Sequence, residues 1–175
     1  MSRAARKLLG SACLAVALTL PWQSNAHADT LSFEFERFVV RQSTEFTCGP
    51  AALSTLLQFQ FGVEIGEVAI IDVMRRGRSL SAIEAQGGFS LLDIVDFAET
   101  HGFHAWGERH LDTDALTARL PAIVPVASSG DTLHFLVILE RRADRFAVAD
   151  PARGGRWVKP DELMALWSGI ALFIR

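Results

Sequence analysis

The 175-residue chain has few of the features that mark the commoner functional classes. It contains only two cysteines, Cys13 and Cys48, with no C-x-x-C and no H-x-x-x-H, so no zinc spacing is present and no metal cofactor is expected. Basic charge is also scarce. The formal net charge is −3, which argues against a nucleic-acid-binding surface. No G-x-G-x-x-G opens a helix. The one basic, Gly-containing stretch, "ARGGR" (152–156), follows a strand end and reads as a surface turn, so no nucleotide or other cofactor is expected. No period of 20 to 50 residues recurs, and beyond the first residues no apolar run approaches the ~20 residues needed to cross a bilayer.

The segment with the strongest signal is the N-terminus. Arg3, Arg6 and Lys7 precede an apolar run from Leu8 to Leu20, and Ala26-His27-Ala28 follows. This is the layout of a secretory signal peptide, with cleavage expected after Ala28. Residues 1–28 would then leave with Cys13, and 29–175 would form one domain in the periplasm or outside the cell. Gly10 stands where a lipobox would want Leu, which argues against lipid attachment at Cys13. Losing three basic residues takes the formal charge to −6. Half the residues are apolar, enough for a sizeable core.

Cleavage would leave Cys48 as the single thiol in an oxidising compartment, where cysteines usually pair. It is either a buried inert residue, an intermolecular bridge or a reactive group. Its surroundings decide between these. Phe33 to Arg41 suits a strand or extended arm. Leu53, Leu56, Leu57 and Phe61 then recur at helical spacing after Gly49-Pro50, so a helix is expected to begin at or next to Cys48 and Gly62 to end it. A second helix is expected over 65–76, a polar loop at "RGRSLSAIEAQGG" (76–88), and a helix from Leu91 to His101 capped by Ser90 with Asp93. Phe103–Glu108 reads as a strand, 112–120 as a short helix, and "PAIVPVA" (121–127) as a strand interrupted by Pro125. His134–Glu140 and Arg145–Asp150 form an antiparallel hairpin. A loop "PARGGRW", a helix from Pro160 to Trp167 and a strand "IALFIR" close the chain. Helices first and an antiparallel sheet after them make an α+β fold.

A thiol at a helix N-terminus meets the positive end of the helix dipole, which favours thiolate. As a nucleophile it needs a histidine, and the histidine an orienting acceptor. His134 opens one hairpin strand and Asp150 ends the next, so the antiparallel turn brings both to one edge of the sheet. On local evidence alone Asp150 could equally be a turn residue before Pro151, and His134 a polar residue at a strand end. His101, His104 and His110 sit at a helix end or beside an outer strand and are weaker candidates.

Gln42-Ser43, Cys48-Gly49-Pro50-Ala51-Ala52-Leu53, Gly62, Gly88-Phe89-Ser90-Leu91-Leu92, Pro121-Ala122-Ile123, His134-Phe135, Asp150-Pro151 and Trp167-Ser168-Gly169 occur in order over nearly the whole of 29–175. Together they resemble the bacteriocin-processing, double-glycine cysteine peptidases of the papain-like clan. The resemblance implies a papain-like fold, with N-terminal helices packed on a C-terminal antiparallel sheet. It also implies roles: Cys48 as nucleophile, His134 as general base and acid, Asp150 as the group orienting the imidazole, and Gln42 as an oxyanion-hole donor beside the Cys48 N–H. Many family members carry aspartates where this chain has Thr44 and Thr47. The export signal and the lack of a transporter make the chain similar to stand-alone periplasmic members, including the peptidase-like component of functional-amyloid secretion systems.

The expected function is therefore a periplasmic cysteine peptidase that cuts a secreted polypeptide, with a Gly-Gly-like pair as the candidate cleavage site, in contact with an export or amyloid-secretion complex. Two alternatives stay open. One is a non-catalytic module that holds an export substrate in the same groove, with "SLSAIEAQGG" as a loop across the cleft. The other is an amidase or acyltransferase using the same machinery.

Overall fold

A computed structural model of the chain describes residues 35–128 and 132–175; the expected signal segment and its cleavage after Ala28 lie outside them. The helix expected at Cys48 is α1 (Cys48–Phe61), ended by Gly62 in the left-handed region at φ 68°, as a glycine C-cap allows. Every residue from Cys48 to Leu57 is buried, so α1 has no solvent face over its first ten residues and forms the central rod of the helical half. Its buried hydroxyls are satisfied locally: Thr55 Oγ1 donates to Ala51 O and accepts from Val40 N at 2.9 Å. Around it lie α2 (Glu67–Met74), α3 (Leu80–Ala85) and α4 (Leu91–Thr100). The second helix is shorter than the expected 65–76. Helix α4 opens with the anticipated Ser90–Asp93 capping box.

The chain continues through β1 (Ala105–Glu108), α5 (Thr113–Thr117), β2 (Ala122–Ala127), β3 (Leu133–Arg142), β4 (Arg145–Asp150), β5 (Gly154–Val158), α6 (Pro160–Met164) and β6 (Ala171–Ile174). The six strands form one antiparallel sheet in the order β1-β6-β2-β3-β4-β5. Side chains alternate across it. Phe135, Val137, Leu139, Ala147, Ala149 and Leu172 pack toward α1, α2 and α4. Leu136, Ile138, Phe146, Val148 and Phe173 pack on the other face against Leu116 of α5, Leu163 of α6 and Trp167. Both faces are covered, which is why the central strands read as unbroken apolar runs.

Four local expectations are corrected. The segment 76–88 is not a loop throughout: Ser79 caps α3 by accepting from Ala82 N at 3.2 Å, and Ile83 is fully buried beneath it. That cap is followed by only six helical residues, too short for a periodic signal. Pro125 does not interrupt β2, which runs through it paired to Phe135. Proline is tolerated because β6 pairs with β2 only at Ile123, leaving a single bridge at Val126 to Trp167 beyond it. Finally, "ARGGR" is largely strand: β5 pairs with β4 from Val158 to Gly154. Its two glycines accept the N-terminal arm at close quarters, since a Cβ on Gly155 would stand 2.6 Å from the Phe35 ring and from a Glu36 carboxylate oxygen. That arm is turned at Phe35–Phe38, where Phe38 N donates to Phe35 O, and so is not a strand over its described part.

Candidate active site

Cys48 is the first residue of α1, a free thiol with 6% of its surface exposed. Two glycines set its position. A Cβ on Gly49 would lie 3.4 Å from both the Phe135 ring and Phe89 Cβ, so the helix start seats against β3 one residue from His134. Gly88, at φ 109°, packs directly under the loop before Cys48; a Cβ there would be 2.8 Å from Phe46 O. The same loop is tied to both halves of the molecule. Gln42 N donates to Pro151 O at 3.0 Å, and Ser43 N donates to Glu67 Oε1 at 2.9 Å.

Thr47 occupies the N-cap position, yet its side chain makes no cap hydrogen bond to α1. Its hydroxyl instead donates to Thr44 O at 3.0 Å and accepts from Thr44 N at 3.1 Å. The two threonines, at positions where many relatives were expected to carry aspartate, thus close a tight turn among themselves. The helix N-terminus keeps its positive end for whatever sits at Cys48.

His134 is the second residue of β3, and its Nε2 lies 2.8 Å from Asp150 Oδ1 at the end of β4. Asp150 is 2% exposed and also accepts from Ala152 N at 2.9 Å and Arg153 N at 3.2 Å. Burial alone would raise its pKa, but the hydrogen bond and charge of His134 and the two backbone N–H groups outweigh it, and the carboxyl is held below its ordinary range. For His134, burial pulls the imidazole pKa down. The hydrogen bonds that the imidazole donates to Asp150 and to Cys48, with the charges of both partners, win, and the value is pushed up to about 9. With Nε2 taken by Asp150, Nδ1 is the ring nitrogen left for Cys48. The edge-of-sheet placement read from the hairpin is therefore found. Val137 pairs with Ala149, so Asp150 stands on the same sheet face as His134, two residues further in.

Gln42 lies on the wall of a cavity of about 560 Å³ that it shares with His134 and Asp150. Its Nε2 donates to Thr44 O at 2.8 Å, while its Oε1 is buried without a partner. A primary amide carries two N–H donors, so one fixes the group and the second is left to give. A second cavity, of about 890 Å³, lies on the α1 side of β3 against Gln86–Asp93, Leu133 and Phe135.

The other histidines sit elsewhere. His101 caps α4, its Nδ1 2.7 Å from Phe97 O, and stacks on the Phe97 ring. His104 pairs with Glu99 at 3.1 Å, and His110 occupies the left-handed region at φ 63°. Among the described residues no group of His, Cys, Asp and Glu could hold a metal ion. Sequence reasoning missed Arg156. Its Nη2 is 3.8 Å from Asp150 Oδ2, and its Nε is buried without a partner; the only signal was its position six residues after Asp150 in a stretch taken for a turn.

Residues 36–175 match the Peptidase C39 family. The chain belongs to that family. Membership places it among the cysteine-type peptidases. It is 31% identical over 157 residues to the probable functional amyloid protease FapD of Pseudomonas aeruginosa, covering 89% of this chain and 69% of that protein. It is also 31% identical over 136 residues to the FapD of Pseudomonas fluorescens, covering 78% of this chain and 59% of the relative. Among solved structures it resembles the peptidase domain of Streptococcus ComA, a bifunctional ABC transporter, with a TM-score of 0.65 at 20% identity over 77% of this chain and 95% of that one. A double-glycine motif protease from an AMS/PCAT transporter, solved with its leader peptide, gives 0.62 at 23% identity over 78% and 89%. At these identities the likeness shows the fold. The expected α+β, papain-like architecture is the one found.

Proposed function

We propose that this peptidase cuts a secreted polypeptide by acyl transfer through Cys48. The observation that carries the reading is the placement of His134, whose Nε2 lies 2.8 Å from Asp150 Oδ1 and whose pKa is raised by both Asp150 and Cys48. Cys48 Sγ attacks the scissile carbonyl carbon. The oxyanion formed is met by the Cys48 N–H and the free N–H of Gln42. His134 passes its Nδ1 proton to the leaving nitrogen, the C–N bond breaks, and a thioester remains. A water then attacks that thioester as His134 takes its proton, and the acid product leaves as Cys48 is restored. Asp150 holds the imidazole in the one orientation that serves both partners.

The substrate reading is supported by the two FapD relatives and by the leader-peptide complex of the double-glycine motif protease. A cut after a small-residue pair such as Gly-Gly, and a periplasmic setting reached through residues 1–28, complete the proposal, as does work beside an export or amyloid-secretion complex. Residues 79–88 lying across the groove would have supported the binding-module alternative. Instead, α3 buries Ile83, and the cavity of about 890 Å³ beside it stays open, which favours turnover.

The test is cleavage of an internally quenched peptide with a central Gly-Gly by residues 29–175, beside Cys48→Ala. Release of a new amine by the native chain alone supports the reading. Cleavage that persists in Cys48→Ala sinks the mechanism, while hydrolysis of small cell-wall amides in place of the peptide would move the chain to the amidase class.

A further inference from the structure

The cavity that His134 shares with Gln42 and Asp150 has a cationic wall that the acyl-transfer steps do not use. Arg156 lies on β5 with its guanidinium 3.8 Å from Asp150 Oδ2, beyond hydrogen-bond distance. Its Nε is buried without a partner, and 39% of its side chain is open to the cavity and solvent. Arg153 stands on the same wall; its backbone N–H is spent on Asp150. Asp150 Oδ1 is engaged by His134, Ala152 and Arg153, and its Oδ2 meets Arg156 only as a long ion pair at 3.8 Å, which leaves the guanidinium short of a hydrogen-bonded carboxylate partner. Glu45 is the other acid on the cavity and is exposed at the rim. Below Arg156 an adjoining pocket of about 220 Å³ is lined by Val126, Leu136, Val148, Val158, Leu163 and Leu166, with Glu162.

The direction of the substrate follows from the proton transfer. His134 must hand its proton to the leaving nitrogen, so the segment after the scissile bond passes over the His134 face of β3, where Leu136 and Arg156 also lie. The acyl segment lies on the opposite side, along Gly87, Gly88 and Phe135. The leaving segment therefore meets Arg156, whose Nε has no partner, and Arg153 on the same wall. A guanidinium with free N–H groups recognises a carboxylate by paired charge-assisted hydrogen bonds.

We propose that Arg156, with Arg153, forms a subsite for an acidic side chain in the polypeptide segment that follows the cleavage site. The inference rests on the peptidase reading for the direction of the chain, but its test does not need turnover. Fluorescein-labelled ten-residue peptides with a central Gly-Gly, followed either by Ala-Asp-Asp or by Ala-Lys-Lys, are titrated by anisotropy into the Cys48→Ala chain at low salt. The Asp peptide is expected to bind ~10-fold or more tightly than the Lys peptide, as one charge-assisted contact provides. Arg156→Gln is expected to remove most of that ratio, Arg156→Glu to reverse it, and Arg153→Gln to reduce it. The Arg153 variant keeps the test alive should changes at Arg156 disturb folding, which circular dichroism reports. Equal dissociation constants for the two peptides, no binding of either, or an acidic preference that survives loss of both arginines would each overturn the proposal. Cleavage by the native chain is scored separately. Preserved charge preference without cleavage leaves the subsite standing and removes the peptidase reading; cleavage without charge preference does the reverse.

Discussion

Around Cys48 the main chain is placed by glycines that let backbone and side chains touch, whereas around His134 and Asp150 it is placed by the register of a sheet. The start of α1 depends on Gly49 against Phe135 and on Gly88 under Phe46 O. The imidazole and carboxylate depend on β3 and β4 pairing so that Val137 faces Ala149. One half of the site is located by close packing of loops, the other by a ladder of hydrogen bonds. At Gly88 close packing leaves no room for an added Cβ unless Phe46 shifts, while a register is lost only by a slip that would turn the whole apolar set of both faces inside out. The loop 42–47 joins the halves through Pro151 O and Glu67.

The largest effect should come from the thiol itself. Cys48→Ala removes one sulfur from a helix start and is expected to bring peptide cleavage to background with the thermal midpoint nearly unchanged; a residual native rate would overturn the nucleophile. On the sheet side, His134→Ala is expected to lose cleavage almost as completely, and to slow alkylation of Cys48 by iodoacetamide at pH 6.5 by tenfold or more. Equal alkylation rates would mean that the two halves do not communicate.

Asp150→Asn breaks the sheet half alone, with an expected loss of ~10²–10⁴ in kcat, by analogy with loss of the orienting carboxylate in a serine triad. The pH dependence carries a sign. The His134 pKa is raised to about 9, so the imidazolium proposed to protonate the leaving group persists through neutrality and is lost as pH rises through about 9. The stability it contributes is full below the unfolded value of ~6.5 and disappears over the same rise. Asp150 has the opposite sense: held below 3.8, its contribution is present above that value and is lost as pH falls through the lowered one. Asp150→Asn should therefore move the alkaline limb of the rate profile toward neutral pH. An unmoved limb would show that Asp150 does not hold the imidazole.

Gln42→Ala should lower kcat by ~10²–10³ with little change in KM, as loss of one oxyanion donor does; a change confined to KM would assign Gln42 to binding. The smallest activity effect is expected from Gly88→Ala, which forces a Cβ to 2.8 Å from Phe46 O at φ 109°. It should cost ~1–3 kcal/mol of stability, read as a lower midpoint in denaturant. Should it instead abolish cleavage without lowering stability, the loop under Cys48 would be part of the chemistry and not just its support.

Much of this was legible in the residues. The helix at Cys48, its stop at Gly62, the Ser90–Asp93 box and the His134–Asp150 hairpin rest on local rules: capping, glycine at the left-handed position, and a two-strand turn. The local misreadings share a cause. Ser79 caps a helix too short to show a period, Pro125 is accepted because β6 pairs with β2 only at Ile123, and "ARGGR" becomes strand because β4 and the Phe35–Glu36 arm lie against it. Each depends on a neighbour distant in the chain.

The same division holds for the site. Residue types and order alone determined that a thiol would open a helix and that a histidine and an aspartate would share a sheet edge. Only the tertiary structure decided that Gln42 is held by Thr44 O with one N–H to spare, that the Thr47 hydroxyl turns away from the helix it precedes, and that Arg156 stands 3.8 Å from Asp150 on the wall of one cavity. Capping and pairing are contests between neighbours in sequence. Orientation, burial and the field at a carboxylate are set by whatever the fold brings against it.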